Sequence, residues 1–220
     1  MEQPVVDAVE PTKRTRNSGK TKAAILAAGR VEFADRGFEG ARVDAIAERA
    51  GANKRLLYHY FGNKEELYCA VLLDAYQEIR RGEQALSLDR YDPVEAMDRL
   101  VRFTFRHFLA NPWFTRILTT ENIENARFLK TLPNIAGLHS PLVGEIRTLI
   151  KRGSEAGIFR QDVDPIQLYI SIAALGYFYV SNMATLSVIF ERDLGSVAML
   201  QEREAQAVQM VLDYLRTTPR

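Results

Sequence analysis

Cys69 is the only cysteine in the chain, so no internal disulfide can form and nothing points to an oxidising compartment. The three histidines, His59, His107 and His139, are scattered without metal-ligand spacing. No nucleophile elbow, glycine-rich phosphate loop or paired catalytic motif is present. These absences argue against an enzyme and call for no cofactor and no metal. The first twenty residues contain no apolar run of the kind a signal peptide needs, and a soluble cytoplasmic protein is the default expectation. Strand-like alternation is also scarce, whereas apolar residues recur throughout at helical spacing.

The net charge of +1 conceals an asymmetry. Residues 11–64 carry 12 Lys and Arg against 5 Asp and Glu, whereas residues 65–220 carry 17 against 20. A basic third on a mildly acidic body suits either a polyanion-binding module or a solvated charged surface. Residues 1–18, polar with two prolines, read as a mobile basic arm. Its cations, Lys13, Arg14 and Arg16, with Lys20 and Lys22 beyond, can reach a groove of DNA or merely solubilise the tail.

Helix punctuation follows. Asn63 with Glu66, Asp92 with Glu95 and, more loosely, Asp164 with Gln167 have capping-box spacing. Pro93, Pro112, Pro141 and Pro165 each follow Asp, Asn or Ser, the arrangement of a cap and a first helical residue. Gly37, Gly51 and Gly157 fit helix C-termini. These signals predict an all-α chain of about nine helices, over 20–36, 43–50, 54–61, 64–84, 93–111, 113–130, 141–156, 165–189 and 196–217.

Residues 43–61, VDAIAERAGANKRLLYHYF, carry a helix-turn-helix pattern. Ile46 and Ala47 face inward, Gly51 tolerates a left-handed turn, and Leu57 packs the second helix on the first. Any corner between two helices can imitate this spacing. The second helix adds a charge signal. Asn53 is a good N-cap, yet Lys54 and Arg55 follow it at a helix end that prefers anions, and Asn63–Lys64 repeats the conflict. A phosphate backbone would reverse the penalty, and recognition helices present their N-terminal residues to bases. Tyr58, His59 and Tyr60 lie between the two cationic positions. The tyrosines suit phosphate and sugar contacts, or are ordinary aromatics at a core edge.

Residues 20–72, KTKAAILAAGRVEFADRGFEGARVDAIAERAGANKRLLYHYFGNKEELYCAVL, resemble the N-terminal domain of the tetracycline-repressor (TetR) family. The marks are AAGRVEFADRGF, then VDAIAERAGANK, then LLYHYFGNKEEL. The resemblance implies a three-helix DNA-binding domain over 19–79, with its helix-turn-helix at about 42–61. A larger helical ligand-binding and dimerisation domain would cover 80–220. It further implies a homodimeric regulator, more often a repressor, that leaves a palindromic double-stranded operator when a small molecule binds. By position, Tyr58, Tyr60 and Lys64 match phosphate contacts, while Lys54 and Arg55 fall where bases are read. The family often has Thr where this chain has Ala41; Arg42 is the candidate replacement.

Beyond residue 64, the segment 165–190 runs for 26 residues without a charge. It has the length of a membrane span, but six Ser, Thr, Asn or Gln residues and the lack of a second span oppose that reading. A helix apolar all round can instead be covered by its own domain and by a partner subunit. Family resemblance implies pairing through the last two helices. Residues 103–118 are rich in aromatics, and they either line a pocket for a small apolar or aromatic effector or simply fill the core. His107, Trp113, Glu121 and Asn182 are the candidate lining residues. A DNA-binding protein without an effector is the alternative.

Overall fold

A computed structural model describes residues 13–216, with side chains from Ser18 onward. Among the described residues there are nine α-helices: α1 (Lys13–Gly40), α2 (Val43–Arg49), α3 (Lys54–Phe61), α4 (Lys64–Gln84), α5 (Pro93–Ala110), α6 (Pro112–Ile123), α7 (Ile135–Glu155), α8 (Pro165–Ile189) and α9 (Val197–Leu215). Two short 3₁₀ turns and an isolated bridge between Phe159 and Arg216 complete the regular structure. The expected all-α fold is the one found.

Local capping chemistry sets most helix starts. Asn53 accepts from Leu56 N at 2.8 Å. Asn63 accepts from Glu66 N at 2.9 Å, and its amide returns a bond to the Glu66 carboxyl at 2.7 Å. Asp92 and Asp164 each accept two amide hydrogens beside a proline that lacks one.

Four boundaries differ from expectation. Helix α1 runs on to Gly40 rather than ending at 36, across a kink where Gly37 takes φ 66°. Of the expected arm, residues 1–12 and the side chains of Lys13, Arg14 and Arg16 lie outside the described residues, and the backbone is helical from Lys13. Lys and Arg are good helix formers, and the stretch up to Ser18 contains no breaker. Helix α6 stops at Ile123 rather than 130, because Asn125 and Ala126 turn left-handed (φ 54° and 57°). Helix α7 starts at Ile135 and contains Pro141 instead of beginning there. Proline removes one helical hydrogen bond but does not oblige a helix to start.

The chain divides into two compact units, and the boundary falls within α4: one unit ends at Val71, the other begins at Leu72. In the first, Ile25, Phe33, Ile46, Leu57, Leu67 and Tyr68 are fully enclosed. Phe33 meets Tyr68 edge-on, with 4.9 Å between ring centres. Gly51 makes the turn between α2 and α3 with φ 62°, a conformation that costs most other residues about 1–2 kcal/mol.

In the second unit α5 is central, packing against α7, α8 and α9. Its core includes Met97, Leu100, Ile146, Leu149, Ile172 and Leu215. Gly176 brings α8 onto α5 so closely that a Cβ there would lie 3.3 Å from Phe105 Cα. Helix α8 is not covered on all sides within its unit. Leu168, Ile172, Gly176 and Tyr179 are buried, while Ile166, Ile170, Phe178, Val188 and Ile189 are exposed, Val188 by 79%.

Candidate nucleic-acid interface and effector region

Helix α3 is amphipathic in the sense a reading helix requires. Leu57 and Phe61, one turn apart, point into the first unit. Lys54 and Tyr58 share one outward line, and Arg55 and His59 share the next, all four exposed. The cationic start of the helix is partly answered inside the protein. Asp44 of α2 lies 2.9 Å from Lys54 Nζ, and its carboxylate holds the Lys54 pKa above the ordinary value. Both groups are well exposed, so this pair contributes little to stability. It does fix where the ammonium stands, whereas Arg55 projects from the same helix end into solvent.

The candidates outside α3 are held differently. Lys64 is half-buried. Its Nζ donates to Glu39 O at 3.2 Å and sits 4.8 Å from the centre of the Phe38 ring. The cation at the start of α4 is therefore anchored to the end of α1. Tyr60 donates its hydroxyl hydrogen to Ser18 Oγ at 3.2 Å and is half-buried, whereas Tyr58 is exposed by 38%. The side chain of Arg42 is exposed, and its backbone N donates to Glu32 Oε1 at 3.1 Å. Glu32, almost wholly buried, thus fastens the start of α2 to α1. The sequence reading missed this role, because no local spacing signals a carboxylate ten residues from the helix it serves.

In the second unit the aromatic residues of α5 and α6 pack on one another. Phe108 and Phe114 stack with 6.0 Å between ring centres, and His107 meets Phe114 edge-on at 5.5 Å. His107 is buried, which lowers its pKa. Trp113 lies beside Phe114 and donates its indole N–H to Asn111 Oδ1 at 3.1 Å. Glu121 is only 3% exposed. Its Oε2 accepts from Leu129 N at 3.0 Å, while Oε1 has no hydrogen-bond partner among the described residues. His107, Trp113 and Glu121 are thereby drawn into one region around Phe114 and Tyr76. Asn182 is not; its amide donates to Phe178 O and Ser181 Oγ on its own helix.

The same region holds charged residues that the sequence reading passed over. Arg80 is 5% exposed and Glu83 1%. Arg80 Nη1 lies 2.9 Å from Glu83 Oε2, and Nη2 donates to Tyr169 Oη at 2.5 Å. The Tyr169 hydroxyl faces Glu83 Oε1 at 3.4 Å. Burial pushes the Glu83 carboxyl up to about 7; Glu145 adds to the rise, while Arg80 and Tyr169 oppose it. Tyr76 is pushed up to about 12, first by burial and then by Glu121. Leu138, Pro141 and Leu142 close over Arg80 and Glu83 and leave no water-sized space beside them. Larger spaces occur elsewhere in the unit. One, a groove of about 590 Å³ between α8 and α9, is lined by Ser171, Leu175, Phe178, Met210 and Tyr214 among others.

Residues 25–71 match the description "Bacterial regulatory proteins, tetR family", and residues 93–211 match "Tetracyclin repressor-like, C-terminal domain". The HTH-type transcriptional repressor NicS of Pseudomonas putida is 36% identical over 82% of this chain and 85% of its own. The HTH-type transcriptional repressor SCO4008 of Streptomyces coelicolor is 32% identical over 90% and 98%. Among solved structures, a TetR family transcription regulator from Marinobacter aquaeolei superposes with a TM-score of 0.70. It is 24% identical and covers 93% of this chain and 100% of its own, a likeness of fold.

Proposed function

The chain belongs to the tetracycline-repressor (TetR) family of DNA-binding transcriptional regulators, and on that premise we propose a specific division of work. The first unit reads a near-palindromic duplex through α3. The second pairs with another copy of the chain through α8 and α9, and binds the small molecule that releases the DNA. Regulators of this family bind DNA as homodimers and respond to small-molecule ligands. They are soluble and cytoplasmic, and this one would sit on the nucleoid when bound to DNA.

The carrying observation is the outward face of α3. It sets Arg55, Lys54, Tyr58 and His59 on two adjacent lines while Leu57 and Phe61 hold the helix to its unit. In this reading Arg55 and Lys54 meet base edges. Tyr58, Arg42 and Lys64 meet phosphates, with Lys64 placed by Glu39 and Phe38. His59 flanks the base-reading positions, and Tyr60 supports α3 through Ser18 and contributes to the backbone side. Support for pairing comes from α8 and α9, whose exposed Ile170, Phe178, Met210 and Tyr214 line an apolar surface of a kind that partner subunits cover. Two-fold symmetry then demands matching half-sites.

The test is selection of duplexes from a random pool by the full-length protein, followed by binding at several salt concentrations. Enrichment of an inverted repeat bound by a dimer is the expected result; a monomer with no preferred sequence would overturn the reading. Tight packing of the aromatic rings on α5 and α6 favours a second reading, a DNA-binding protein without an effector. Release of the selected duplex by any small molecule excludes it.

A further inference from the structure

Burying an arginine and two glutamates in a helical core is costly unless their hydrogen bonds are complete. Here they are not. Among the described residues, Arg80 Nε and Nη1, Glu83 Oε2 and Glu121 Oε1 have no hydrogen-bond partner. The contact of Arg80 with Glu83 is close, but its angles do not make a hydrogen bond. Aromatic rings stand around these groups. Tyr76 meets His139 edge-on with 5.3 Å between centres and meets Phe114 at 5.9 Å, and Arg80 lies 5.2 Å from the centre of the Tyr169 ring. Glu121 raises the Tyr76 pKa and Arg80 lowers it, so both charges act on the Tyr76 hydroxyl. An apolar ligand alone would leave all of these polar atoms unpaired.

We propose that the effector is a small aromatic acid whose carboxylate is taken by Arg80 in place of Glu83 and whose ring carries a hydrogen-bond donor that meets Glu121 Oε1. The inference rests on the reading that the second unit binds an effector, and it narrows the apolar or aromatic ligand expected from sequence to an aromatic acid. Its ring would lie among Tyr76, Phe114, His139 and Tyr169. Leu138, Pro141 and Leu142 close over Arg80 and Glu83, and they would part to admit the acid. Displacing Glu83 is chemically feasible because burial already favours its protonated form, and the protonated carboxyl no longer neutralises Arg80. An incoming anion adds a like charge beside Glu83 and favours that proton further. The groups facing Glu83 are Arg80 on its own helix, Tyr169 from α8 and Glu145 from α7. Binding the acid near pH 7 to 8 therefore takes up a proton, at Glu83. Tyr76, Arg80 and Glu83 all stand on α4, the helix whose first residue is Lys64.

The experiment uses the full-length protein and three probes: 4-hydroxybenzoate, its neutral isostere 4-hydroxybenzamide, and toluene. Calorimetry at pH 7.5 in two buffers of different ionisation enthalpy reads affinity and proton uptake, and anisotropy of a labelled duplex reads DNA release. The acid is expected to bind roughly tenfold or more tighter than the amide, the worth of a charge-assisted hydrogen bond. It is expected to bring with it a fraction of a proton. Glu83→Gln should bind the acid but take up no proton. Arg80→Gln, checked for unchanged helicity, should lose the preference for acid over amide. If Arg80→Gln does not fold, the acid–amide comparison and Glu83→Gln decide the matter. Equal binding of acid and amide, no binding of the acid, or proton uptake that persists in Glu83→Gln would overturn the proposal. Release of DNA by toluene without binding of the acid would overturn it too, yet leave effector control standing. Binding of the acid at Arg80 without release would support the site and overturn effector control.

Discussion

The two units put their charges in opposite places. In the first, the cations Lys54, Arg55 and Arg42 stand outside, and Glu32 is its one nearly enclosed charged residue among those described. In the second, Arg80, Glu83, Glu121 and Glu204 are buried, while Ile170, Phe178, Val188 and Val197 lie on the surface. A stable domain normally does the reverse on both counts. The first unit turns its charges to solvent. The second has an apolar outer face and a charged interior. Exposed charge suits a polyanion already solvated in water. Buried, incompletely bonded charge suits a partner that replaces water inside the protein.

The comparison can be broken most forcefully at the exposed apolar face. Ile170→Glu with Phe178→Glu should yield a monomer by sedimentation velocity with helicity unchanged, and should weaken duplex binding by about a hundredfold or more, because two linked reading heads act together. A dimer that persists would show that this face is not the pairing surface.

Next in size is the buried carboxyl. Glu83 titrates near 7 in the folded chain and near its ordinary 4.5 when unfolded. Below 4.5 both states hold the proton. As pH rises from 4.5 to 7 only the unfolded state releases it, so stability falls through that window and is level above it. The loss is on the order of 3 kcal/mol at most. Glu83→Gln should remove this decline, and thermal melts at pH 5 and pH 8 measure the difference. An unchanged decline would mean that Glu83 is solvated.

On the reading face, Arg55→Ala should cost about 1–3 kcal/mol of discrimination between the selected duplex and one altered at a single position. Equal weakening on all duplexes would make Arg55 a phosphate contact. Asp44→Asn sharpens the same point by releasing Lys54 from its ion pair. It should change affinity by less than Arg55→Ala while leaving stability nearly unaltered. Lys64→Ala should have the smallest effect on sequence preference. It weakens every duplex alike and reduces the salt dependence by about one released counterion. A salt slope identical to that of the parent chain would confine Lys64 to its contacts with Glu39 and Phe38.

Local signals made the first unit legible. Helix α3 begins at Lys54 and ends at Phe61 as the pattern predicts, because Asn53 caps it and Gly62 follows it at φ 73°. A cap acts on the next three residues, so neighbours in sequence suffice to find it. Between α6 and α7 such signals lose their authority. The sequence pattern carries the sixth helix on to residue 130, yet Asn125 and Ala126 turn left-handed and Glu121 accepts from Leu129 across that turn. Pro141 has the preceding serine of a helix start and lies inside α7 instead. Asn182 follows the aromatic run of α8, but its amide bonds to its own helix.

The sequence by itself determined the periodicities, the caps and the basic reading helix, and with them the all-α fold and the kinship with DNA-binding regulators. Each of these is decided within a turn or two of helix, where covalent neighbours are the dominant interaction. Only the tertiary structure decided which charges are inside. Arg80 and Glu83 are three residues apart, a spacing found on countless solvated helix faces. They are buried because Tyr169 of α8, 86 residues beyond Glu83, and the residues of α7 close over them. Burial depends on what the rest of the chain places nearby, and no short window of sequence contains that information.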